Sequence, residues 1–256
     1  MKIIYCSIIT FLSIMLISGC KSGGNAKKDA TSIADTTTVA DTGFTGITQG
    51  MSGQYIVNET TYKNGVRHGL KKTFYQSGKV RQTFWYENGL RQDSSRWYFE
   101  EGQLFRTTPY KNDTIDGIQK QFYRTGKLKA KIGYEKGLRT TFFQEFTPEG
   151  KLVGGYPQLV LKTFDNYKTK GTFRITMELS DKSEKVRFFR GEFYGGVFDT
   201  SRCERIKTVK GVGILDLKKE TSAKSEKIGI IAGILTGFGN NYLVYRMFEV
   251  KFNDLN

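Results

Sequence analysis

Cut before Tyr62, Tyr86, Tyr110 and Tyr134, residues 62–157 read YKNGVRHGLKKTFYQSGKVRQTFW, YENGLRQDSSRWYFEEGQLFRTTP, YKNDTIDGIQKQFYRTGKLKAKIG and YEKGLRTTFFQEFTPEGKLVGGYP. All four copies are 24 residues long, without a gap. Gly78, Gly102, Gly126 and Gly150 share one column, and Val80, Leu104, Leu128 and Leu152 another. Phe74, Tyr98, Phe122 and Phe146 form a third column that is always aromatic. A fixed period of this kind marks a repeat architecture, in which each unit buries its surface against the next.

Within a copy, two runs rich in aromatic and β-branched residues are divided by turn residues. In the third copy Ile118–Tyr123 runs out, Arg124-Thr125-Gly126 turns, and Lys127–Tyr134 returns. The glycine column supplies the positive φ that hairpin turns need. The other connection is Asn64-Gly65, Asn88-Gly89, Asn112-Asp113 or Lys136-Gly137, again turn chemistry. One copy therefore reads as a β-hairpin, marginal alone and stable only in an array. The expected fold class is all-β: an extended antiparallel meander of repeated β-hairpins over 53–157, followed by a small β-sandwich-like domain over 158–256.

The Tyr62-Lys63-Asn64-Gly65 opening and the Gly126-Lys127-Leu128 turn resemble the MORN-repeat family, specifically its bacterial variant. The resemblance covers about residues 54–157, with Gln54–Thr61 read as the trailing strand of a worn-down earlier copy. Copy four departs from it, since Thr140-Thr141-Phe142 replaces the glycine seen at Gly69 and Gly117, which leaves the register of the last hairpin open. Bacterial members often carry an antitoxin-like label, and eukaryotic relatives are credited with lipid or protein docking. The resemblance thus implies a binding role and no particular chemistry.

Upstream, Met1–Gly19 reads as a secretory signal: Lys2 is the positive end and Ile3–Leu16 the apolar stretch. Ile17-Ser18-Gly19-Cys20 resembles the lipobox of bacterial lipoproteins. That resemblance implies that Cys20 is acylated (palmitate among its chains) and becomes the first residue of the mature protein. Several acyl chains hold a protein firmly to a membrane, where one binds reversibly. Lys21 follows, with no acidic residue beside it, so the outer membrane is expected, its periplasmic leaflet favoured over the cell surface. Residues 20–52 are expected to form a disordered lipidated tether, being built largely of Ser, Thr, Gly, Ala, Asp and Lys. Some thirty such residues reach roughly 30 Å.

After Pro157 the period stops. Leu159–Phe164, Thr172–Leu179, Lys185–Tyr194, Ile206–Leu217, Lys227–Leu235 and Tyr242–Phe252 read as strands, with turns at Asp165-Asn166, Ser180-Asp181, Gly195-Gly196 and Asn240-Asn241. Ile228–Leu235 is apolar but too short to span a bilayer. Cys203, the cysteine left once Cys6 and Cys20 are accounted for, reads as a small buried strand residue.

No catalytic, cofactor or metal site is expected, and the chain does not read as an enzyme. The single histidine, His68, reads as a solvated turn residue without partners for a triad or a zinc site. Glu100-Glu101 flank a turn glycine, and Gly211-x-Gly213 and Gly233-x-x-x-Gly237-x-Gly239 match neither a dinucleotide fingerprint nor a phosphate loop.

A binding surface is easier to place. The chain carries a formal charge of +15. Lys72, Arg96, Lys120 and Gln144 fall in one column of the first strand of each copy. Leu70, Ser94, Ile118 and Phe142 lie two residues before, and the aromatic column headed by Phe74, Tyr98 and Phe122 two residues after. Spacing by twos puts these columns on one face, with equivalent side chains recurring every ~9–10 Å. Arg67, Arg91 and Arg139 are expected to add a second basic column at the turns. Such a surface suits an acidic protein or an anionic envelope component; nucleic acid fits the charge but not the compartment. A bland reading sits beside it, in which long basic side chains cover an apolar face and keep the protein in solution. The function expected is thus a membrane-anchored, non-enzymatic binding or scaffold protein. The alternative is an antitoxin-like or immunity protein that masks a specific toxin.

Overall fold

A computed structural model describes residues 43–218 and 225–251. The expected signal peptide, Cys20 and the tether as far as residue 42 lie outside the described residues. Ten strands follow one another through the repeats: β1 (Gly46–Ser52), β2 (Tyr55–Lys63), β3 (Val66–Phe74), β4 (Val80–Glu87), β5 (Leu90–Tyr98), β6 (Leu104–Lys111), β7 (Thr114–Ile115), β8 (Gly117–Phe122), β9 (Leu128–Glu135) and β10 (Leu138–Glu145). All pair antiparallel with their sequence neighbours, β7 being a short spur on β6, from which the path continues to β8. The tether expected over 20–52 therefore ends earlier. Gly46–Ser52 alternates half-buried and exposed positions and pairs with β2 along its whole length, forming with it the worn-down first hairpin.

Two kinds of turn set the register. Asn64 and Gly65 (φ 52° and 76°), Asn88 and Gly89 (50° and 84°), Asn112 and Asp113 (49° and 64°) and Lys136 and Gly137 (48° and 84°) are paired left-handed residues. That is the type I′ geometry, whose twist matches the strands it joins. At the other end of each hairpin, Gly78, Gly102, Gly126 and Gly150 donate to the carbonyls of Tyr75, Phe99, Tyr123 and Thr147 at 2.8–2.9 Å. The amides of Tyr75, Phe99, Tyr123 and Thr147 in turn donate to the carbonyls of Lys79, Gln103, Lys127 and Lys151, closing four equivalent loops. Copy four keeps both turns, but its strand pairing shifts between Arg139 and Phe143. Gly69 and Gly117 hold φ of 100° and 113°, and Asp93 fills the same place at 57°. Copy four has Thr141 there instead, and Thr140 folds over Gly133, where a Cβ would sit 2.1 Å from its Oγ1.

The C-terminal region holds β11 (Leu159–Asn166), a single helical turn α1 (Tyr167–Lys170), β12 (Thr172–Leu179), β13 (Val186–Arg190), β14 (Val197–Phe198), β15 (Glu204–Ile206), β16 (Thr208–Val209), β17 (Val212–Leu217), β18 (Ser225–Leu235) and β19 (Asn241–Lys251). Two four-stranded sheets, β11-β12-β17-β16 and β15-β13-β18-β19, share one core built from Ile175, Met177, Leu179, Phe188, Leu215, Ile228, Ile230 and their neighbours. This is the sandwich that the alternating runs implied. Three details differ from expectation. The run Ile206–Leu217 is broken by Lys210-Gly211 into β16 and β17, because both residues are left-handed (φ 47° and 75°). Asp165-Asn166 closes β11, and the reversal falls on α1 and Gly171. Cys203 follows a 3₁₀ turn rather than lying in a strand; burial pushes its thiol up, with Asp199 adding to the shift.

The boundary at 157 is not a clean cut. β14 leaves the sandwich to pair with β10, Arg139 opposite Phe198 and Thr140 opposite Val197. The fully buried Glu145 at the end of β10 accepts hydrogen bonds from Thr236 Oγ1 (2.8 Å), Asn240 Nδ2 (2.7 Å) and the Tyr156 hydroxyl (3.3 Å). Around it, Tyr156 stacks on Tyr242 at 4.3 Å and Phe143 packs against both. The sandwich thus closes the last edge of the repeat sheet, as a repeat array requires. Replacing Glu145 by Ala leaves the buried Asn240 amide without this acceptor, at about 1–3 kcal/mol, and removes two half-buried hydrogen bonds as well. Glu145→Ala is therefore expected to lower the urea midpoint sharply and Glu145→Gln by much less, measured by equilibrium unfolding.

Candidate docking surface

Strand register assigns every repeat side chain to one of two faces, because alternate residues point opposite ways. On the first face a single cross-strand row runs Gln49, Glu59, Lys72, Thr83, Arg96, Thr107, Lys120, Lys131, Gln144, each paired with the next. Lys72, Arg96 and Lys120 thus stand in line, with one strand between each and the next. Lys72 is 3.7 Å from Glu59, so its charge is partly answered. No acidic partner of Arg96, Lys120 or Lys131 is found among the described residues. Lys120 and Lys131 face each other directly across β8 and β9, an arrangement of like charges that costs stability. Lys131 was missed in the repeat columns because its equivalents are Thr83 and Thr107. Tracing the hairpin back from the Gly126 turn would have found it.

Beside the row lies exposed apolar surface. Leu70 and Trp85 are paired at 38% and 41% exposure, and Ile118 and Phe142 are 44% and 40% exposed. Phe74, Tyr98 and Phe122 are half-buried. Phe74 borders a groove of about 300 Å³ with Tyr55, Ile56 and Glu59 at the β1–β2 end.

The second basic column belongs to the opposite face. Arg67 and Lys72 are an odd number of residues apart, so alternation alone separates them. Arg67, Arg91 and Arg139 lie opposite Tyr62, Tyr86 and Tyr134 in the register. Their guanidinium groups sit over tyrosine rings: Arg67 over Tyr86 (4.7 Å), Arg91 over Tyr110 (4.4 Å) and Arg139 over Tyr134 (5.7 Å). In copy three the place falls to Ile115, opposite Tyr110. The result is a row of alternating rings and cations that buries the opening tyrosines, Tyr62 and Tyr86 being under one-tenth exposed. Phe44 ends the row edge-on against Tyr62, and Arg139 ends it by donating to the Asn241 carbonyl at 3.1 Å.

Electrostatics follow this placement. Burial pulls the pKa of Arg139 and of Arg106 down. For Arg91 burial acts the same way, but the hydrogen bond to Asp113 and the nearby tyrosines raise its pKa overall. Arg91 Nε lies 2.8 Å from Asp113 Oδ1, and the Asp113 carboxyl is held below its usual range, first by that side chain and then by the Arg91 backbone. His68 is likewise not a turn residue: it sits half-buried in β3, and its Nδ1 accepts from the Asn88 amide at 3.5 Å. Groups of acidic, cysteine and histidine residues able to hold a metal are absent among the described residues.

Residues 67–88, 94–112 and 115–136 match the family described as MORN repeat variant. No curated protein matches the chain. The matched stretches run from β3 to the turn after β9, so this segment carries MORN repeat variants, and they support a repeat-based binding or scaffold role.

The two basic columns are expected to behave differently. Arg91→Ala removes a ring stack and the Asp113 pair and is expected to cost about 1 kcal/mol by urea unfolding. Arg96→Ala should fall within about 0.5 kcal/mol of the parent. Asp113 has its pKa lowered by folding. Its contribution is present above about pH 3.9 and is lost as pH falls through the depressed value. Asp113→Asn is therefore expected to lower stability at pH 7 by under about 1 kcal/mol and to matter progressively less as the pH falls below about 3.9.

Proposed function

We propose that this protein is a membrane-anchored bacterial lipoprotein whose repeat sheet docks an acidic partner on the face carrying Lys72, Arg96, Lys120 and Lys131. The observation that supports the reading best is Lys120 set directly against Lys131, neither of them in an ion pair among the described residues. A surface meant only for solubility has no need of opposed like charges, and an anion placed between them turns a cost into an attraction. The exposed apolar neighbours Trp85, Ile118 and Phe142 then give the partner something to bury. An acidic protein satisfies both parts of this surface, whereas a uniform polyanion satisfies the charge alone. The anchor is Cys20, which resembles a lipobox cysteine, and the outer membrane's periplasmic leaflet is the site of action. The chemistry is recognition, with no catalytic step.

Reversing Lys72, Arg96 and Lys120 to Glu is expected to abolish retention of the partner from envelope extracts while the unfolding free energy changes by no more than about 1 kcal/mol, the lost Lys72–Glu59 pair being offset by relief of the Lys120–Lys131 opposition. Retention that survives the reversal removes the row from the reading. One tightly held toxin would favour the immunity alternative, and broad salt-sensitive retention of polyanions would favour a scaffold without a single partner. For the anchor, Cys20→Ser is expected to shift the chain from the membrane to the soluble fraction, followed by fractionation and metabolic labelling with a fatty acid. A variant that still acquires label would overturn it.

A further inference from the structure

The two ends of the repeat sheet are treated differently. At the last hairpin, β14 and the β18–β19 connection cover β10. At the first, β1 pairs with β2 alone among the described residues, and no described strand covers its outer edge of backbone donors and acceptors. Natural sheets usually protect such an edge with charge, proline or a bulge. β1 reads GITQGMS: it has no charged residue and no proline, in a chain of net charge +15. The irregularity in its pairing falls between Gly50 and Met51, opposite Asn58 and Ile56, so the extra residue is Val57 of β2 and β1 itself stays straight.

The strand is also self-complementary. Ile47, Gln49 and Met51 lie on one face, and Ile47 and Met51 are 64% and 56% exposed. Two antiparallel copies centred on Gln49 would set each Ile47 beside the other's Met51 and Gln49 beside Gln49. That covers the two largest exposed apolar groups of the strand, twice over, by one two-fold operation. The other face carries only small residues, Gly46, Thr48, Gly50 and Ser52, with Phe44 and Asn58 of the same copy lying over the two glycines.

We propose that β1 is a homodimer edge: a second copy of this chain pairs through Gly46–Ser52, antiparallel about Gln49, to make one continuous sheet from two repeat arrays. The occupant is a second copy because the edge is neutral where the rest of the chain is strongly positive. Two copies can then meet there without facing charge on charge, and the strand's own sequence supplies the matching half. The pairing would bring the two cation rows into one line, with Gln49 of each at the centre. This does not depend on the docking proposal, since it uses none of Arg96, Lys120 or Lys131.

The test rests on the anchor reading, in which Cys6 leaves with the signal and Cys20 is acylated; it adds one cysteine at a time to the chain carrying Cys203→Ser, produced in cells and crosslinked in their membranes with a short bis-maleimide. Gln49→Cys is expected to give a homodimer band at several-fold the yield of Glu59→Cys, which sits on the same face one strand further in. Equal yields, or an adduct of Gln49→Cys with a different protein, would overturn the proposal. Gln49→Lys places two cations at the dyad. It is expected to convert the detergent-solubilised chain from dimer to monomer in sedimentation analysis and to remove the dependence of the unfolding midpoint on protein concentration. A dimer that persists in Gln49→Lys, or a parent chain that sediments as a monomer, would equally sink it.

Discussion

A slip of one residue in any hairpin would exchange the two faces of the sheet, and the whole arrangement depends on that slip being forbidden. The constraint is local. Two successive left-handed residues at Asn64-Gly65, and at the three equivalent turns, fix which residues face each other at the tight end of the hairpin. The glycine-closed loops fix the other end. Between them the strands have no freedom left, so a cation at Lys72 and a ring-stacked cation at Arg67 are consigned to opposite faces. Each tight turn is also fastened to the copy before it. Gly89, Asp113 and Gly137 donate to the carbonyls of Arg67, Arg91 and Ile115 at 2.8–3.0 Å.

The face of stacked tyrosines and arginines then explains how a sheet with so little aliphatic material holds together. The described hydrophobic core lies in the sandwich, whereas β2 to β8 meet mainly the strands beside them. Their buried positions include Thr60, Gln82, Ser95, Thr108 and Gln119, which no oil-like core would choose. Long side chains lie among them: Arg106 covers Trp97 of its own copy at 4.8 Å, and Gln119 reaches back one copy to donate to Thr108 at 3.2 Å. Cation–ring contacts and amide hydrogen bonds take the part that a second layer would play elsewhere.

Much of this could be read from the residues alone. The 24-residue period, the Asn-Gly turns and the glycine column led directly to hairpins in a meander. Alternation at Phe173, Ile175, Met177 and Leu179 found β12 to the residue. What stayed hidden was whatever depended on contacts remote in sequence. β1 has too few apolar residues to announce a strand, and its pairing with β2 is what makes it one. The role of Arg67, Arg91 and Arg139 could have been recovered, since odd spacing from the Lys72 column already separates the faces. Glu145 could not: its partners Thr236 and Asn240 lie about ninety residues away, and nothing in copy four marks it as different from a surface acid.

The sheet's unequal ends have a mechanical consequence. In a single copy, tension applied through residue 43 would load β1 across its hydrogen bonds one after another, as a zip, because among the described residues the strand is held by β2 alone. The opposite margin is laced to the sandwich by β14 and by the Glu145 cluster, so its bonds must give way together. Under a pull from its front the array would therefore pay out length a strand at a time, keeping its rear hairpins intact as an elastic reserve.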